Sequence, residues 1–225
     1  MSRAILFDCD STLSTIEGID VLAEQAGVVD QVVPLTTAAM DGRLKLEEAY
    51  AARLDLIRPD AAAIKALGRD YVATRVEGAT QAVAALRMLG WQVHVVSGGI
   101  RQAVLFIARD LGVPDHQVHA VDLVFDENGD YAGFDQNSPL ARSGGKAEIC
   151  RRVMTGADSV VMVGDGITDL EAGEAGATVI GFGGVVRRDI VARRAPFFIE
   201  QADLREVVRL LATPEELATV ESLLR

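Results

Sequence analysis

Cysteine is scarce in this chain: Cys9 and Cys150 are the only two among 225 residues, too few for a disulfide framework. The three histidines, His94, His116 and His119, do not form a zinc motif. Positive charge is in deficit: Lys plus Arg number 22 against 33 Asp plus Glu, a net charge of −11. An acidic surface repels phosphate backbones, which argues against nucleic acid as a partner. No apolar run reaches the roughly 18 residues of a membrane span, so no membrane partner is expected either. The opening MSRAILFDCD meets two acidic residues within ten positions and does not read as a signal peptide. Internal repeats and low-complexity segments are absent. These absences point to a soluble, reduced, cytoplasmic protein.

What is present is a globular composition, 49% hydrophobic and 24% charged, which rules out disorder and fibrous repeats. The length suits one large domain, or a core with a small insert. Four short apolar runs read as strands buried on both faces: Ala4–Phe7, Val93–Val96, Ser159–Val163 and Thr178–Ile180. Helical spacing fills Gly78–Leu89, Ile100–Leu111 and Lys146–Met154. Strands alternating with helices predict βαβ units, hence an α/β, Rossmann-like core with a mostly parallel central sheet. Residues 14–75 break the rhythm. They contain no convincing strand and read as helices interrupted near Pro34 and Pro59, so an inserted helical cap over 14–75 is expected, with 1–13 and 76–225 as the core. Asn128-Gly129 between alternating residues signals a hairpin. The stretch from Asp203 to Arg225 reads as helical, with Leu204, Val207, Val208 and Leu211 on one face.

Ligands of open α/β sheets bind beyond the carboxyl ends of the strands. Three of the predicted strands end there in reactive groups: Asp8 and Asp10, Ser97, and Asp165 with Asp169. Asp8 and Asp10 are two apart and leave an extended chain on the same face. Two unit charges about 4 Å apart repel by roughly 4 kcal/mol at an effective dielectric near 20, so a cation or a shared proton must relieve them. Hard oxygen ligands without a His or Cys cluster suggest Mg²⁺. Beside it, one Asp can attack phosphorus and a second carboxyl can protonate the leaving oxygen and then activate water. Ser97 offers a hydroxyl. The amides of Gly98 and Gly99 are expected to open the next helix and bind an anion there. Lys146 offers a point charge to a phosphate oxygen. Cys9 reads as packing.

Asp8-Cys9-Asp10-Ser11-Thr12-Leu13, then Ser97, Lys146 and Gly164-Asp165-Gly166-Ile167-Thr168-Asp169, in this order, resemble the motifs of haloacid dehalogenase-like hydrolases. Glu17-Gly18-Ile19-Asp20, Val96 to Gly99, Tyr131 to Asp135, Ser143 to Lys146, Ile180 to Gly184 and the segment from Ala39 to Arg53 narrow the resemblance to the phosphoserine phosphatase family. The resemblance implies Asp8 as nucleophile and Asp10 as general acid and base. It implies Mg²⁺ held by Asp8, the backbone carbonyl of Asp10 and Asp165, with Asp169 in support. Ser97, Gly98, Gly99, Lys146 and Thr168 are implied on the phosphate side of the substrate. Glu17 is implied for the ammonium and Arg53 for the carboxylate of O-phospho-L-serine, with Met40 and the cap helices closing over it. The implied reaction is the last step of serine biosynthesis, by a monomer or homodimer. Leu46 and Ile100 depart from the family pattern but keep the site apolar. Two alternatives stay open: a phosphatase or mutase acting on another small phosphate ester, and a non-enzymatic phospho-aspartate signalling module. Asp10 and the helical insert argue against the second.

Overall fold

A computed structural model describes residues 2–41 and 43–225, the side chain of Met40 excepted. The chain opens with β1 (Arg3–Phe7), followed by α1 (Gly18–Ala26), α2 (Val29–Met40), α3 (Leu46–Ile57) and α4 (Ala61–Ala73). Next come α5 (Ala79–Met88), β2 (Trp91–Ile100), α6 (Arg101–Asp110) and β3 (Val118–Val121). A hairpin of β4 (Leu123–Phe125) and β5 (Tyr131–Phe134) precedes α7 (Gly145–Met154) and β6 (Ser159–Gly164). The remainder is α8 (Ile167–Leu170), β7 (Thr178–Phe182), α9 (Asp189–Arg194), β8 (Phe197–Ile199), α10 (Arg205–Leu211) and α11 (Pro214–Val220).

Six strands form one sheet in the order β3-β2-β1-β6-β7-β8, and every pairing in it is parallel. The expected α/β architecture is therefore the observed one. Helices cover the sheet, which is why β1 is continuously apolar: Ala4, Ile5, Leu6 and Phe7 are all fully buried. The chain runs outward from β1 in one direction through β2 and β3 and in the other through β6, β7 and β8. The strand order thus reverses beside β1, where a crevice opens at the carboxyl edge. Register does the rest. Phe7 pairs with Val95 on one side and Val163 on the other, so the residues just beyond each strand emerge at one level.

Between β1 and α5, the described residues form helices and no named strand. Ser14 and Arg75, near the two ends of this segment, meet in an isolated antiparallel bridge. Helix α4 lies against α6. The hairpin ties to the same helices: Tyr50 and Phe134 have ring centroids 5.2 Å apart, and the Ala61 amide donates to the Gly129 carbonyl at 2.9 Å. At the C-terminal end, Leu204, Val207 and Val208 are buried, and α10 packs on α5. Among the described residues no helix is long and apolar enough to cross a membrane.

Some expectations change. The predicted break at Pro34 does not occur: Pro34 lies inside α2. A proline there removes one backbone hydrogen bond, but Val32 and Thr36 on the same helix are buried and their packing holds it. The break at Pro59 is present, because Arg58 takes a left-handed φ of 45° and ends α3. Gly98 and Gly99 do not open a helix. They belong to the end of β2, which continues to Ile100, and α6 starts at Arg101. The reason is pairing, since Ile100 is partnered with Val121 of β3 across an irregularity in the ladder.

Candidate active site

The carboxyl edge carries a cavity. Asp8, Asp10, Glu17, Arg53, Ser97, Gly98, Gly99, Lys146, Asp165 and Thr168 all line it. Asp169 lies behind Lys146 and is fully buried. The side chain of Met40 falls outside the described residues. Every other residue singled out in the sequence therefore converges, from elements far apart along the chain.

Asp8 sits one residue past β1. Its Oδ1 accepts from the Cys9 amide at 2.8 Å, and its Oδ2 is 2.6 Å from Lys146 Nζ. Lys146, on the first turn of α7, also donates to Asp169 Oδ1 at 2.7 Å. Burial opposes a charge on Lys146, yet the two carboxylates raise its pKa above the ordinary lysine range. Asp169 Oδ2 accepts from the Gly166 amide at 2.9 Å. This side chain packs so closely on β6 that a Cβ at Gly164 would lie 2.1 Å from Asp169 Cγ, so only glycine fits there.

Asp10 turns to another set of partners. Its Oδ1 accepts from the Gly18 amide at 2.6 Å and from the Tyr71 hydroxyl at 2.7 Å. The first amide of α1 has no partner within its helix, and a carboxylate suits that end of the helix dipole. Asp10 Oδ2 has the Ser97 hydroxyl at 3.3 Å. Burial first, and then the charge of Asp8, raise the Asp10 pKa, against these hydrogen bonds. Just after it, Ser11 takes a φ of 52°, sparsely populated for a non-glycine residue, and its hydroxyl donates to Glu17 Oε1 at 2.8 Å. Burial, Asp10 and Asp165 hold Glu17 well above the usual carboxylate range.

Asp8, Asp165 and Asp169 each offer a carboxylate oxygen within 4.8 Å of the others. Octahedral ligands at about 2.1 Å place neighbouring oxygens about 3 Å apart and opposite ones about 4.2 Å apart, so this triad fits a divalent cation with a small closure. Its all-oxygen chemistry suits a hard ion. The crowding argues the same way: burial, then the charge on Asp8, pushes Asp165 up to about 6. Burial foremost pushes Asp169 up to about 8, although Lys146 pulls it down. A cation would relieve both.

The wall opposite is built by α1, α2 and α3. Arg53 is 4% exposed, stacks over Tyr50 at 5.6 Å, and its Nε is buried without a partner. Among the described residues, no carboxylate lies within ion-pair distance of it. Burial lowers its pKa below the ordinary arginine range. Cys9 is fully buried, and burial, aided by Asp10 and Asp8, raises its thiol, consistent with packing.

Two residues of the site were not singled out in the sequence. Tyr71 reaches Asp10 from α4, and no local pattern marks it. Arg188 follows β7 on the same sheet edge. Its Nε is 3.1 Å from Asp165 Oδ2, and its other nitrogens lie 3.6 Å from Asp41 and 3.8 Å from Glu17. Its place beyond a predicted strand was the available signal.

A doubly parallel-wound sheet with paired carboxylates after β1 and two more after β6 defines a haloacid dehalogenase-like hydrolase. A family model of that description matches residues 2–176. The chain is 38% identical to a phosphoserine phosphatase of Bos taurus over 95% of its own length and 93% of that protein. It is similar to a solved phosphoserine phosphatase with substrate bound, with a TM-score of 0.82 and 31% identity over 94% and 99% of the two chains. It is also similar to a phospho-aspartyl intermediate analogue of phosphoserine phosphatase, with a TM-score of 0.81 and 32% identity over the same shares. The chain belongs to the phosphoserine phosphatase family, and it is a phosphatase.

Proposed function

We propose that the protein hydrolyses O-phospho-L-serine to L-serine and phosphate through an aspartyl-phosphate on Asp8, with Mg²⁺ as cofactor, as the last step of serine biosynthesis in the cytoplasm. Residues 14–75 act as a cap over a core of 1–13 and 76–225, in a monomer or homodimer. The observation that carries this reading is Arg53: a buried cation with no carboxylate partner among the described residues, in the same cavity as Asp8 and Asp10. A phosphate ester bearing its own carboxylate satisfies it, and the planar guanidinium can grip both oxygens. Glu17, raised by burial and then by Asp10 and Asp165, is set to regain its charge against an ammonium group.

Asp8, Asp165 and Asp169, with the Asp10 carbonyl, would hold the cation, which when bound supplies positive charge to the phosphoryl oxygens. Lys146, already 2.6 Å from Asp8 Oδ2, offsets the same charge from the protein side. Ser97, Gly98, Gly99 and Thr168 line the phosphate end. A carboxylate oxygen of Asp8 attacks phosphorus, and the bond from phosphorus to the serine oxygen breaks. Asp10 gives its proton to that oxygen. Its Oδ1 is tied by two short hydrogen bonds, so Oδ2 is the atom left for proton transfer. Water, deprotonated by Asp10, then attacks the same phosphorus. The Asp8–phosphorus bond breaks, and phosphate leaves. The cap excludes bulk water meanwhile.

The test is phosphate release from O-phospho-L-serine with Mg²⁺ and after chelation, beside a panel of other small phosphate esters. Magnesium-dependent turnover with phosphoserine leading the panel is expected. A clear preference for a sugar phosphate would overturn the substrate.

A further inference from the structure

Arg53 is tied at one corner by a polar chain that crosses three helices. Its Nη1, on α3, donates to Thr36 Oγ1 on α2 at 3.2 Å. Thr36 in turn donates to Asp20 Oδ1 on α1 at 3.0 Å. Thr36 is 3% exposed, so the middle of the chain is sealed from water. We infer that Asp20 and Thr36 are positioning residues for substrate selection, acting through Arg53. The inference rests on Arg53 receiving the substrate carboxylate, and it names what sets that receptor.

The polarity of the chain follows from proton counting. A hydroxyl has one proton and two lone pairs. Thr36 Oγ1 lies 3.0 Å from the Asp20 carboxylate and 3.3 Å from the Val32 carbonyl, and the charged acceptor at the shorter distance takes the proton. A lone pair is then turned toward Arg53, which can only donate. Nη1 is occupied, while Nε stays buried and unpartnered. The guanidinium, which lines the cavity, is therefore fixed with one corner tied and its Nε edge unpaired, and such an edge can be gripped by a carboxylate with two parallel hydrogen bonds. Asp20 places a negative charge one residue away, where it steadies the buried cation without covering that edge. Tyr50 stacks against its face. An arginine held in this way loses little further freedom when a ligand arrives, and affinity gains accordingly.

The experiment compares kcat/KM for O-phospho-L-serine with kcat/KM for p-nitrophenyl phosphate, which has no carboxylate, in Asp20→Asn, Thr36→Val, Thr36→Ser and Arg53→Ala. The phosphoserine-to-nitrophenyl ratio is expected to fall about tenfold in Asp20→Asn and Thr36→Val, chiefly through KM. Thr36→Ser, which keeps the hydroxyl, restores it. A thermal melt of each variant separates this from loss of fold, because unfolding lowers both activities together and leaves the ratio alone. An unchanged ratio in both Asp20→Asn and Thr36→Val, with a large drop in Arg53→Ala, overturns the inference and leaves the carboxylate role of Arg53 standing. An unchanged ratio in Arg53→Ala overturns that role, and the inference with it.

Discussion

Asp8, Asp10, Lys146 and Asp169 each have definite neighbours at the carboxyl edge, and single substitutions there should divide cleanly. Asp8→Asn keeps the shape of the side chain and leaves Lys146 its second partner, Asp169. Turnover should fall by at least about a thousandfold, with the thermal midpoint nearly unchanged. Phosphate release and a melting curve check both halves, and substantial turnover would remove Asp8 from the nucleophile's place. Gly164→Ala tests the cation site from behind. The new methyl would meet Asp169 Cγ at 2.1 Å, and a buried strand gives it no room. Displacing the supporting carboxylate should raise the magnesium needed for half-maximal activity about 10- to 100-fold, read from a magnesium titration. Tyr71→Phe removes one of the two short bonds on Asp10 Oδ1 and should lower kcat several-fold, while the Gly18 amide still holds the oxygen. How legible these residues were depends on what places them. Asp8 and Asp10 follow β1, Ser97 lies in the last half of β2, and Asp165 and Asp169 follow β6, and parallel register brings strand ends together whatever lies between. Tyr71 and Arg53 come from helices whose orientation depends on packing between α1, α2, α3 and α4. Arg53 was marked by resemblance alone, and Tyr71 by nothing.

At the level of elements, long apolar runs were easy to read and short edges were not. β1, β6 and β7 are buried on both faces and announce themselves. β3 and β8 are the two edges of the sheet. β8 has only three residues, one of them the exposed Phe197, so little periodicity was there to find. Pro34 misled because helix propensity is a local quantity and α2 is held by its buried side. The pairing of β2 with β3 has a consequence of its own. His94 of β2 and His119 of β3 stack with ring centroids 5.4 Å apart, and His94 Nδ1 lies 3.2 Å from His119 Nε2. One proton can sit between these nitrogens but not two. Burial, with the neighbouring His119 and His116, pushes His94 down to about 4, and burial also lowers His119, helped by Arg101, Arg152 and His116. The unfolded chain protonates His94 near 6.5, and the fold refuses that proton until about pH 4. Between these values the unfolded state binds more protons, so stability is full above about 6.5 and falls as the pH drops toward 4. Urea midpoints measured at neutral pH and near pH 5 should show the wild type losing more than His94→Gln does. Equal acid losses would assign the effect to other groups.

Over the whole molecule, charge and architecture work against each other. A chain with a net charge of −11 gathers Asp8, Asp10, Glu17, Asp165 and Asp169 at one edge of its sheet, and answers them there with Lys146 and Arg188. The arrangement is held together by the same burial that makes it costly, since the strands presenting these groups form the centre of the core. Such a site stores free energy that a divalent cation can release, and a ligand that binds only the folded state stabilises it in proportion to the logarithm of its concentration. At a hundred times its dissociation constant, magnesium should add about 2.7 kcal/mol. For a chain of this length, about 1 kcal/mol moves the melting midpoint by roughly 2–4 °C, so chelation should lower it by about 5–10 °C. Sodium at matched ionic strength should not substitute, because screening acts on exposed charges and leaves buried ones nearly untouched. Asp165→Asn should abolish the magnesium-dependent shift, since it removes one member of the triad. Scanning calorimetry of wild type and variant, each with and without magnesium, reads the difference directly. If the midpoint of the wild type does not respond to magnesium, then Lys146 and Arg188 already neutralise the edge and the triad is no cation site.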